Sequence, residues 1–235
     1  MIERCVSAFV VNMNSIPSKG FDHVAVDLNN NIFTLCDGAN SCPNAGDAAK
    51  FFGNKMLECI NTDDDDSFSS QFASLFFHAH QQMQIDFFDS ACTFLYVNAS
   101  QSKLKLSSMG DSFLYLFQKP LMGFGSWKHV LTMPRDIDGF NNPSQLVGSE
   151  VCHDLHIESI DASGTYCAIM MSDGPGNLLS IPMLLSRLKM LGRKFPSSDD
   201  LSYLCQTLAR QADEMGCRDD NSIAIVWAKY PTKLL

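Results

Sequence analysis

Three aspartates in this chain of 235 residues share one local setting. Asp37 closes the apolar run Ile32-Phe33-Thr34-Leu35-Cys36 and precedes Gly38. Asp173 closes Ile169-Met170-Met171-Ser172 and precedes Gly174, and Asp220 lies in a polar turn just ahead of the apolar run 222–228. An aspartate at a strand end is commonly a turn former and nothing more. If the three strands are neighbours, however, their carboxylates converge on one sheet edge, where like charges repel unless they are protonated or bridged by a cation. Hard oxygen donors of this kind favour magnesium or manganese.

Positioning them requires strands, and the sequence supplies many. Runs at 4–13, 22–28 and 32–36 read as strands, with Asn29-Asn30-Asn31 as the turn of a hairpin. Further strands are expected at 91–98, 103–109 and 112–118, arranged as a meander with a break at Gly110-Asp111. Others follow at 127–132, 153–159, 165–171 and 222–228, with the runs 153–159 and 165–171 forming a pair. Apolar positions three or four residues apart predict helices from Asn44 to about Ile60, from Ser67 as the cap to about Phe88, and over 181–191 and 199–215. The Gly-, Asn- and Pro-rich stretch 134–149 is expected to be an exposed, mobile loop. Because strands and helices come in mixed order rather than as regular βαβ units, the expectation is an α+β fold in one domain covering 1–235.

Composition narrows the function. A hydrophobic content of 46% with 18% charged residues is that of an ordinary globular chain. The net charge of −9, without a dense Lys/Arg run, argues against nucleic acid as a partner. An anionic substrate would be repelled as well, so an enzyme acting on one needs cations in its site. The nine cysteines are scattered singly, with no CxxC pair, and Cys36, Cys92 and Cys167 fall inside apolar runs, so a reducing, cytoplasmic setting is expected. No apolar stretch is long enough to cross a membrane. The acidic run 63–66 lacks the spacing of an EF-hand and is expected to be a solvated loop. His153 and His156 flank Asp154, but strand alternation alone puts them on one face. The Cys-x5-Arg loop of cysteine-nucleophile phosphatases is absent, since Cys217 directly precedes Arg218.

Order and surroundings of the acids supply more. Phe33-Thr34-Leu35-Cys36-Asp37-Gly38-Ala39 followed by Asn44-Ala45-Gly46-Asp47-Ala48-Ala49, Ala91-Cys92-Thr93, Met109-Gly110-Asp111-Ser112, Met170-Met171-Ser172-Asp173-Gly174 and Asp220-Asn221-Ser222-Ile223-Ala224 occur in this order. Together they resemble the metal-dependent protein phosphatases, the type 2C serine/threonine family (PPM), across nearly the whole chain. The resemblance implies an α-β-β-α sandwich, two packed antiparallel sheets flanked by helices, acting as a monomer on phosphorylated proteins. It implies that Asp37 bridges two Mg2+ or Mn2+ ions, that the Gly38 carbonyl helps hold one, and that Asp173 and Asp220 hold the other. Asp111 would serve a third, looser ion, and Asp22, in Gly20-Phe21-Asp22-His23, matches the aspartate that closes the family's first motif. Two bridged ions would lower the pKa of a water and aim it at phosphorus.

The chain also departs from that pattern. The family's first motif carries an arginine that grips the phosphate, whereas residues 14–22 contain none, leaving Lys19 or His23 as the cationic candidates. Phe113 follows Gly-Asp-Ser where an arginine is frequent, and Asn177 stands where the family often has another aspartate. Two rival readings follow: a catalytically weak or inactive pseudophosphatase that works as a binding module, and a hydrolase of some other phosphomonoester.

Overall fold

The computed structural model describes residues 2–12, 21–59, 64–119, 126–140, 142–150, 152, 154–192 and 194–232. Among the described residues, ten strands, β1 (Arg4–Asn12), β2 (Asp22–Asp27), β3 (Ile32–Asp37), β4 (Phe94–Ala99), β5 (Lys103–Met109), β6 (Phe113–Lys119), β7 (Lys128–Thr132), β8 (His156–Asp161), β9 (Gly164–Met171) and β10 (Asn221–Tyr230), are joined by five helices. These are α1 (Ala45–Met56), α2 (Asp65–Asp86), the single turn α3 (Asp173–Gly176), α4 (Ile181–Met190) and α5 (Ser198–Glu214). The strands form two five-stranded sheets, ordered β1-β10-β9-β6-β7 and β2-β3-β4-β5-β8, and every pairing is antiparallel.

Alternation along the central strands explains the layering. In β10, Ile223, Ile225 and Trp227 join Leu184, Leu188, Leu204 and Leu208 in the core under α4 and α5. Their neighbours Ala224, Val226, Ala228 and Tyr230 pack with Phe33, Leu35, Leu95 and Val97 of the other sheet. On that sheet's far side, Ile32, Phe94 and Tyr96 meet Phe52, Phe68, Phe72 and Phe76 of α1 and α2. The Phe52 ring lies 5.2 Å from Phe76 and 5.2 Å from Phe94, both edge-on, as aromatic quadrupoles prefer. Strands apolar on both faces are buried on both faces, and the result is the expected α-β-β-α sandwich.

Four local expectations are corrected. Segments 103–109 and 112–118 do not stay together as a meander: β5 remains in the second sheet while β6 crosses to the first, pairing with β7 and β9. Gly110, at φ 92°, makes the crossing in a backbone region that L side chains rarely adopt. For the same reason, that sequence neighbours need not pair, β8 joins β5 and β9 lies in the opposite sheet. In the acidic run, Asp64, Asp65 and Asp66 form the cap and first turn of α2 rather than a free loop, and residue 63 lies outside the described residues. Asp64 rather than Ser67 caps α2, its carboxylate accepting from the Ser67 amide at 3.1 Å. Asp65 pairs with Lys103 and accepts from the Ser159 hydroxyl at 2.7 Å.

Candidate functional site

The aspartates arrive at one end of the sandwich from both sheets. Asp22 opens β2 and Asp37 closes β3, and antiparallel pairing sets them directly opposite each other. Gly38 continues the line, its amide donating to the Phe21 carbonyl at 3.1 Å while it bridges to Cys92. A side chain there is excluded, because a Cβ would lie 2.7 Å from the Ala45 carbonyl oxygen and 2.8 Å from that of Phe21. From the other sheet, Asp220 precedes β10 and reaches across: its Oδ2 accepts from the Phe21 amide at 3.1 Å, a contact spanning 199 residues of sequence. Asp173 begins α3, directly after β9, and Asp111 lies in the crossing turn between β5 and β6.

Hydroxyls tie the two sheets at this edge. The Asp37 amide donates to Thr93 Oγ1 at 3.1 Å, and Thr93 Oγ1 lies 2.7 Å from Ser112 Oγ. Ser172 Oγ accepts from the Ser222 amide at 3.1 Å and donates to the Asp220 carbonyl at 3.3 Å. Thr93 and Ser172 carry no charge and stand in motif positions whose partners lie far off in sequence, so sequence reasoning assigned them no part.

Electrostatics shows how tightly the acids are gathered. Burial raises the Asp37 carboxyl well above the usual carboxylate range, and the charges of Asp22, Asp173 and Asp111 raise it further. Asp173 is pushed up to about 6, first by burial and then by Asp111, Asp219 and Asp22. Asp22 is also raised to about 6, chiefly by burial, with hydrogen bonding to Asp37 pulling the other way. Burial raises Asp111 too, with Arg135 opposing and Asp219 adding to the rise. Asp219, half-buried, also takes part, accepting from Asn40 Nδ2 at 3.1 Å. A second acid beside Asp220 carried no separate signal in the sequence.

Among the described residues, no three His, Cys, Asp or Glu side chains already stand in metal-ligating arrangement. Yet the donors fit a divalent cation. Both carboxylate oxygens of Asp22 are buried and lack a hydrogen-bond partner of sound geometry. Neither Asp22, Asp37, Asp111 nor Asp173 forms an ion pair with Lys, Arg or His among the described residues. Clustered, desolvated, unpaired carboxylates are satisfied by protons or by a hard cation. Lys19 lies outside the described residues, as does His153. His23, the other cationic candidate, has a buried Nε2 without a partner, and burial lowers its pKa, which disfavours the charged form.

Comparison with solved structures settles the architecture. The chain matches PppA, a key regulatory component of T6SS in Pseudomonas aeruginosa, with a TM-score of 0.75 and 12% identity over 97% of this chain and 99% of that one. The catalytic domain of the serine/threonine protein phosphatase PstP in complex with two manganese ions matches with a TM-score of 0.73 and 13% identity, over 96% and 98% of the two chains. The PPM Ser-Thr phosphatase MsPP from Mycobacterium smegmatis gives 0.66 and 12%, over 97% and 99%. This chain has the PPM phosphatase fold. No family model and no curated protein matches the sequence. At these identities the likeness to PPM phosphatases is one of fold, and what the site does must be argued from the carboxylates themselves.

Proposed function

We propose that this chain is a magnesium- or manganese-dependent phosphatase acting on phosphoserine and phosphothreonine in proteins. The observation that carries the reading is Asp22, whose two buried oxygens lack a hydrogen-bond partner of sound geometry and which lies directly opposite Asp37 at the edge where two sheets of a PPM-type sandwich meet. Asp22, Asp37, the Gly38 carbonyl, Asp173 and Asp220 would hold two ions, and Asp111 a third. When bound, such ions supply a water activated for in-line attack on phosphorus and neutralise charge on the phosphoryl oxygens. The chain's own residues supply the geometry: the Thr93 and Ser112 hydroxyls fix Asp37 against the crossing turn, and Ser172 fixes the start of β10 against the end of β9. No protein nucleophile is required. All nine cysteines are unpaired and six are buried, which suits work in the reducing cytoplasm, as a monomer. Among the described residues, no helix is long and apolar enough to cross a membrane.

The test is turnover of a phosphothreonine peptide with manganese, wild type beside Asp37→Asn. Activity in the wild type and its loss in the variant support the proposal, whereas equal turnover in both removes the carboxylates from the chemistry. Metal and peptide binding without turnover would favour a binding module that keeps the fold, the reading to which the lack of arginine in 14–22 points.

A further inference from the structure

The described residues between Met133 and Val147 form neither helix nor named strand, yet they are stitched to the crossing turn at Gly110. The Asp136 amide donates to the Gly110 carbonyl at 2.8 Å, and the Gly110 amide donates back to Asp136 Oδ2 at 2.9 Å. Asp136 Oδ1 accepts from Gln145 Nε2 at 3.1 Å and lies 2.9 Å from His156 Nε2, while Ser144 donates its amide to the Asp136 carbonyl at 2.8 Å. A loop so fastened can carry a side chain with a defined aim.

That side chain is Arg135. Its Nε donates to the Asp111 carbonyl at 2.6 Å, and its guanidinium carbon lies 3.8 Å from the centre of the Phe113 ring. Its Nη2 is buried and has no acceptor among the described residues, and the guanidinium forms no ion pair there. Leaving the donors of a charged group enclosed and unbonded is costly, and native proteins rarely do so without a ligand or ion to answer them. The group is anchored by one nitrogen and one face beside a carboxylate of the cluster, so Nη2 is what remains for a ligand. Guanidinium nitrogens match phosphate oxygens in geometry and charge.

We propose that Arg135 grips the phosphate group of the substrate, the task for which residues 14–22 offer no arginine; this rests on the phosphatase reading of the same site. Phe113 then gains a purpose. After Gly110-Asp111-Ser112 this chain places a ring, and the guanidinium reaches its face from position 135.

Calorimetric titration of the manganese-loaded protein with inorganic phosphate and with a phosphothreonine peptide tests the assignment in wild type, Arg135→Lys and Arg135→Ala. Arg135→Ala should weaken phosphate binding about tenfold to a hundredfold, the span of one or two charge-assisted hydrogen bonds. Arg135→Lys, which keeps the charge and loses the fork, should fall between, and melting temperatures report whether each variant is folded. If Arg135→Ala unfolds, Arg135→Lys decides alone. Equal phosphate affinity in the folded variants and wild type overturns the proposal, as does a wild type that binds neither ligand. A wild type that binds phosphate through Arg135 but turns nothing over leaves the assignment standing and refutes only the catalytic reading.

Discussion

Asp22 is a carboxylate with little to hold: it is 9% exposed, neither oxygen has a hydrogen-bond partner of sound geometry, and another aspartate faces it across the ladder. Its ionisation works against the fold. A carboxyl whose pKa rises from 3.8 unfolded to about 6 folded binds more protons in the native state within that window, so stability falls as pH rises through it. Asp173, also raised to about 6, acts in the same direction. We therefore expect the melting temperature of metal-free protein to decline as pH rises from about 4 through about 6. Added manganese should stabilise little at the acid end and progressively more as the protons leave; a profile rising across this window in chelator would refute the desolvated cluster. Asp22→Asn removes the charge and keeps the shape. In chelator it should melt roughly 2–4 °C higher, the shift that about 1 kcal/mol gives in a chain of this size, and manganese should no longer raise its melting point as it does that of wild type.

Among the elements, the β2–β3 hairpin and α1 meet too closely at Gly38 for any side chain, with two carbonyl oxygens under 3.0 Å from where a Cβ would stand. Gly38→Ala should therefore cost about 1–3 kcal/mol in urea unfolding, the usual range for overpacking. Because the same displacement spreads Asp37 from Asp22, manganese affinity should fall with stability. Asp64→Ala makes the contrast. Losing that cap should cost about 0.5–2 kcal/mol, but α2 covers the far face of its sheet, so turnover per folded molecule should not change. A cap variant that lost activity in proportion to Gly38→Ala would mean that the site responds to stability in general rather than to the hairpin.

On the scale of the whole molecule, the layer between the sheets joins what would otherwise be two separate helix-on-sheet halves. Leu35 and Val97 of one sheet share that layer with Leu116, Met170 and Val226 of the other. The carboxylates sit at its rim, so neither half can carry the site alone. We expect a single cooperative unfolding transition, coincident by near-ultraviolet and far-ultraviolet circular dichroism. Two resolved transitions, with manganese stabilising only one, would show that the halves fold apart and that the cluster belongs to one of them. The excess negative charge is a property of the same scale: at −9 the chain repels anions, and a site for phosphate groups is workable only with local cations.

The sequence determined the elements and the acids by itself. Periodicity marked every long helix and strand within a few residues, because amphipathic spacing is a local property. Asp37, Asp111, Asp173 and Asp220 stood out because the end of an apolar run next to glycine or a polar turn can be read along the chain, and the ordered motifs added Asp22. What sequence could not fix was partnership. That β6 leaves β5 for the other sheet, that Asp220 reaches Phe21, that Thr93 meets Ser112, and that an arginine in an unpatterned loop rests on Phe113 are all consequences of long-range packing, and no spacing of neighbouring residues encodes them. Tertiary structure alone decided them, because a carboxylate's neighbours are set by which sheet edges meet in space, and it is those neighbours that raise its pKa and shape what it can bind.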